Sequence, residues 1–119
     1  MIIKANQFKV LGNKMFEQFL NNLTVEIITK YPNWMSNENY SKKCAFVSNI
    51  VQYGQKLNIT ETDPLSKFVN YLIRFDHNIP LHFEIVGELK NANIDEEIRL
   101  ERLFFHLASD RKKLTLIEI

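Results

Sequence analysis

The sequence predicts an all-α protein: a compact bundle of about five helices forming a single helical domain over residues 1–119, with room for short extended segments at the two termini. Apolar residues recur at intervals of three and four along most of the chain, the spacing that lines one face of a helix. The periodic stretches have helical rather than strand length and are parted by short joints rich in Asn, Ser and Pro. Explicit helix starts stand at Asp63-Pro64 and at Asn93 with Glu96.

The first helix is expected over residues 6–31, where Phe8, Leu11, Met15 and Phe19 make one stripe and Phe16, Leu20, Leu23 and Ile27 a second beside it. Gly12 costs such a helix up to about 1 kcal/mol relative to alanine, and the β-branched run from Thr24 to Thr29 lowers its propensity. Pro32 ends it, because the residue before a proline is pushed out of helical geometry. The Asn- and Ser-rich segment that follows reads as a loop, with a second helix starting near Asn37 or Ser41. Its apolar rows are Cys44, Val47 and Val51, and Phe46, Ile50, Tyr53 and Leu57; Gly54 suits a close helix crossing.

The joint at residues 58–62 is short, so the second and third helices are expected to be spatial neighbours. Asp63 fits as N-cap of the third helix and Pro64 as its first residue, with Thr60 a competing cap. Leu65, Phe68, Val69, Leu72 and Ile73 then face a core. After the break marked by Pro80, residues 81–90 form a short fourth helix with Phe83, Val86 and Leu89 inward, although HFEIV also has the composition of a strand. Asn93 and Glu96 read as a capping box for a fifth helix lined by Ile98, Leu100, Leu103, Phe104 and Leu107 and ending near Ser109, with Arg111, Lys112 and Lys113 at its C-terminal dipole. The apolar tail LTLIEI extends that helix, pairs as a strand with the first residues, or docks on a partner; packing on its own domain is the reading preferred.

Composition narrows the function classes. Fifteen Lys and Arg against fourteen Asp and Glu leave a net charge of +1, which gives no bulk electrostatic reason to seek nucleic acid or an anionic membrane. The single cysteine, Cys44, supplies neither a disulfide framework nor a multi-cysteine metal set. No apolar run reaches signal-peptide or membrane-spanning length, so a cytoplasmic location without membrane insertion is expected.

Candidate chemistry is sparse, and no catalytic, cofactor-binding or metal residue is assigned. His77, His82 and His106, with Asp76, Glu84 and Glu88, allow a sketch of a small metal- or His-dependent enzyme. His82 and Glu84 nonetheless stand two apart, which on a helix does not put them on one face. The glycines are too scattered for a phosphate-cradling loop. The second and third helices imitate a helix-turn-helix, but the third carries only Lys67 and Arg74 for phosphates. Partner-binding candidates are Trp34 and Met35 in the first loop, the acidic trio Glu96, Glu97 and Glu101, and Leu116, Ile117 and Ile119 in the tail.

Residues 1–76 carry a likeness in order: MII with Gln7 and Phe8, Phe16-Glu17, the Tyr31-Pro32 break, then IVQYGQKLNITETD leading to LSKFVNYLIRFD. On these the chain resembles a group of small, uncharacterised bacterial helical proteins encoded beside type VI secretion effectors, near genes for spike-tip and peptidoglycan-binding proteins. Where that group has Tyr-Gly-Ile before the third helix this chain has Leu57-Asn58-Ile59, and where the group has Phe-Gly after it this chain has Phe75-Asp76. The resemblance implies a non-catalytic protein-interaction module without cofactor, either an accessory adaptor or chaperone or an immunity protein, whose partner is a co-encoded effector or toxin.

Overall fold

The computed structural model describes the backbone of residues 13–76 and 79–118 and the side chains of residues 14–76 and 79–109. Five helices make up the described chain: α1 (Asn13–Lys30), α2 (Tyr40–Lys56), α3 (Thr62–Arg74), α4 (Phe83–Leu89) and α5 (Glu96–Glu118). The all-α expectation holds. α1 packs on α2, α2 on α3, and α5 lies against both α3 and α4.

Each helix contributes apolar residues to a common core: Leu20, Leu23 and Ile27 from α1; Val47, Ile50 and Val51 from α2; Leu65, Phe68, Val69 and Leu72 from α3; Ile85 and Leu89 from α4; Leu100, Leu103 and Leu107 from α5. Thr24 is also fully buried, its hydroxyl satisfied by donation to the Leu20 carbonyl at 2.7 Å. The close crossing expected at Gly54 is present. A Cβ there would stand 3.0 Å from Phe68 Cδ2 and 3.1 Å from Leu65 Cδ2, so the bare backbone lets α3 approach α2.

Several boundaries and faces differ from expectation. The opening part of the first predicted helix, with Phe8, Leu11 and Gly12, lies outside the described residues. α2 starts at Tyr40, between the two starts expected, because Asn39 takes the cap: its side-chain oxygen accepts the Lys42 N–H at 2.9 Å. Phe46, expected inward, is 39% exposed and meets Trp34 edge to face, with ring centroids 5.8 Å apart.

α3 begins one residue before Asp63, with Glu61 at the N-cap and no side-chain cap of its own. Asp63 is left exposed in the first turn, and Pro64 still sits where a missing N–H costs nothing. In α4 Leu89 faces inward as expected and Val86 is half-buried against the core, but Ile85 is buried where Phe83 was expected: Phe83 is 75% exposed, and Leu81 just before the helix is buried as well. His82 sets that phase by accepting the Glu84 N–H at 3.3 Å through Nδ1, which makes Phe83 the first helical residue and turns it outward. The stretch is helix and not strand.

The capping box at Asn93 does not form. Asp95 accepts the Glu97 N–H at 2.8 Å instead, and α5 starts at Glu96. Ile98, expected inward, is 46% exposed. The helix runs to Glu118 rather than stopping near Ser109, so Arg111, Lys112 and Lys113 lie within it and the backbone of the C-terminal tail is helical rather than extended. The possible extended segment at the N-terminus falls outside the described residues.

Candidate protein-binding surface

The outward face of α3 is polar at Asp63, Lys67, Asn70, Tyr71 and Arg74, positions that fall on one side of a helix. This face is the floor of a trough. One wall is the last turn of α1 with the residue after it, where Glu26, Lys30 and Tyr31 enclose a cleft of about 390 Å³ together with α3. The other wall is α5, where Glu97, Glu101, Phe104 and Phe105 enclose a second cleft of about 410 Å³. Lys67 and Tyr71 line both clefts and form the ridge between them.

Most of the charges here are paired. Glu26 binds Lys30 at 3.2 Å within α1, and Glu97 receives a short bond of 2.5 Å from Lys67 across the trough. That bond from the Glu97 carboxylate raises the lysine above its ordinary value, with the charges of Glu97, Tyr71 and Asp63 adding to it and the slight burial opposing. Arg74 has no carboxylate partner among the described residues. Its guanidinium stands 5.6 Å from the ring centres of both Phe75 and Phe104, held by cation–π attraction and available on its other side.

Phe104 is also clasped edge-on by Tyr71, with centroids 5.2 Å apart, and by Phe75 at 5.4 Å. Asn70 donates from Nδ2 to the Ser66 carbonyl at 2.8 Å, while its buried Oδ1 has no partner.

The sequence-predicted candidates separate on this map. Glu97 and Glu101 line the α3–α5 cleft. Glu96 is turned inward: its Oε1 accepts the backbone N–H groups of Thr60 at 2.8 Å and Glu61 at 3.2 Å, and its Oε2 accepts the Thr60 hydroxyl at 2.9 Å. It therefore caps α3 from a neighbouring helix. Trp34 is half-buried and packs on the core, and Met35 beside it is half-buried with a left-handed φ of 47°. Neither lines either cleft. Leu116 and Ile117 belong to the last turns of α5 with side chains outside the described set, and Ile119 lies outside the described residues altogether.

The histidine candidates serve as connectors. His82 caps α4, and His106 Nε2 meets the Glu88 carboxylate at 2.8 Å, tying α5 to α4. His77 is outside the described residues. Among the described residues no three His, Cys, Asp or Glu side chains gather as a metal ion would need. Lys67 and Arg74, the cations of the helix-turn-helix reading, are engaged by Glu97 and by Phe75 and Phe104. Cys44 is half-buried, with a long 3.9 Å contact to Asn21 Oδ1, an oxygen that also accepts the Tyr40 hydroxyl at 2.9 Å. Burial first, and then Cys44, raises the Tyr40 hydroxyl above its ordinary range. No helix among the described residues is long and apolar enough to cross a membrane.

Sequence reasoning missed Lys67, Asn70, Tyr71 and Arg74 as a group. The signal was present as a polar row with one aromatic, Tyr71, on the far side of the amphipathic third helix, and it only gains meaning once α1 and α5 rise on either side. No family model, curated protein or solved structure matches the chain.

Proposed function

We propose that this chain is a non-catalytic protein-interaction module that serves a co-encoded type VI secretion effector as an accessory adaptor or chaperone. The observation that carries the reading is the trough on α3, where Tyr71 lines both clefts and Arg74 the one against α1, presenting an aromatic and a guanidinium group at its floor. Tyr and Arg are the residue types that concentrate binding energy at protein interfaces. The resemblance of residues 1–76 to the effector-associated helical group supplies the setting, and the role belongs to the cytoplasm before secretion. An adaptor or chaperone is favoured over an immunity protein by the exposure of Phe83 at 75% and Phe105 at 65%, apolar surface suited to holding another chain.

Co-expression with the product of the neighbouring effector gene tests the reading. The two proteins are expected to co-purify, with the effector's solubility or toxicity altered. Tyr71→Ala and Arg74→Glu are each expected to weaken capture by about tenfold or more while circular dichroism stays unchanged. Failure of the wild-type chain to capture the effector or to change its behaviour removes the proposal.

A further inference from the structure

The trough on α3 holds two charges of opposite sign that no other described residue answers. Glu26 is paired with Lys30 and Glu97 with Lys67, so those lining side chains already cancel within the chain. Asp63, at the far end of the floor, sits in the first turn of α3, where the positive end of the helix offsets it. Arg74 and Glu101 remain. Arg74 lines the cleft against α1 and Glu101 the cleft against α5; both are exposed, and neither has an oppositely charged partner among the described residues.

The two are set around one aromatic pair. The Arg74 guanidinium lies 5.6 Å from the ring centre of Phe104, which Tyr71 meets edge-on at 5.2 Å. Phe104 follows Glu101 by three positions on α5, a spacing that puts both on one side of that helix. Tyr71 lines both clefts and separates the cation from the anion. Deepening the adaptor reading, on which this inference rests, we propose that the trough recognises a segment of the captured protein that carries one acidic and one basic side chain. The acid meets Arg74 in the α1–α3 cleft, the base meets Glu101 in the α3–α5 cleft, and an uncharged stretch between them lies over Tyr71. A guanidinium with no internal carboxylate gives that acid a forked, charge-assisted partner. The opposite signs also fix the direction in which the segment crosses α3, because a reversed segment would set acid against Glu101 and base against Arg74.

Titration of the full chain with the product of the neighbouring effector gene, at low and at high salt, tests the proposal, with circular dichroism confirming that each variant keeps its helices. Arg74→Glu and Glu101→Lys should each raise the dissociation constant by about tenfold at low salt and by much less at high salt. Among the effector's acidic residues, reversed one at a time to lysine, one should restore binding to Arg74→Glu and not to Glu101→Lys. Among its basic residues, reversed to glutamate, one should do the opposite. A purely structural role for Arg74 or Glu101 would not be rescued from the partner's side. Capture indifferent to Glu101→Lys, a loss in Arg74→Glu that persists undiminished at high salt, or the lack of any rescuing reversal overturns the inference and leaves the adaptor reading standing. Failure of the wild-type chain to capture the effector removes both.

Discussion

Glu96, on the first turn of α5, accepts the backbone N–H of Thr60 at 2.8 Å and so caps a helix to which it does not belong. The N-cap residue of α3, Glu61, makes no side-chain cap, and the positive end of that helix is met by the carboxylate from α5 instead. Glu96→Ala removes three accepted hydrogen bonds at once. We expect a loss of about 1–3 kcal/mol in urea unfolding, with Glu96→Gln intermediate because one oxygen remains.

Arg99 is 4% exposed and holds the carbonyls of Ile94, Asn58 and Leu89 without any carboxylate. Leu89 ends α4 and Asn58 follows the end of α2, so the guanidinium sits where two helices turn their negative ends. Arg99→Met keeps the volume and strands those carbonyls. An expected cost of about 2–4 kcal/mol, read from the denaturation midpoint, would place Arg99 among the strongest single fastenings of the fold.

The two described glycines should respond oppositely to alanine. At Gly54 the added methyl meets Phe68 and Leu65 near 3 Å, and overpacking of about 1–3 kcal/mol outweighs the helix-propensity gain. At Gly87 nothing lies within 4 Å, so Gly87→Ala should stabilise by about 0.5–1 kcal/mol. Thermal melts of the pair check the sign of each.

Phase in α4 is tested by Phe83→Ser against Ile85→Ala. Phe83 is 75% exposed and its replacement should move stability by less than about 0.5 kcal/mol, whereas Ile85, 6% exposed, should cost about 2–4 kcal/mol. If the two effects exchanged places in a chemical denaturation series, the inward face of α4 would be the other one.

The Lys67–Glu97 bridge contributes in a defined pH window. Its folded-state value is raised above the ordinary 10.5, so the stabilisation is fully present below that value and lost as pH climbs through the raised one. Both side chains are 48% exposed, and solvent screening reduces the contribution to a fraction of a kcal/mol. Lys67→Met should therefore shift the melting temperature slightly at neutral pH, less in high salt, and not at all at the alkaline end.

Periodicity made the helices legible because burial in an all-α protein is settled by the three-and-four spacing that the sequence displays. Leu65, Phe68, Val69 and Leu72 could be assigned inward from that spacing alone, and Gly54 could be assigned to a close crossing. Phe83 and Ile98 could not, since their faces depend on which residue caps the helix, and His82 and Asp95 are caps chosen by local geometry. Glu96 and Arg99 were unreadable for a further reason. Glu96 reaches Thr60, 36 residues away in the chain, and Arg99 joins the nearby carbonyls of Ile94 and Leu89 to that of Asn58, 41 residues away, so a glutamate and an arginine typical of a solvated helix start prove to be interior fastenings. The trough was half legible: Glu97 and Glu101 could be picked out as surface acids, but Tyr71 and Arg74 acquire a setting only when α5 is laid beside α3.

Because the carboxylate of Glu96 occupies the amides of Thr60 and Glu61, those two protons are shielded only while α5 is docked. Their hydrogen-exchange rates should thus act as a gauge of α5 itself, slowing or quickening with any event that seats or lifts that helix.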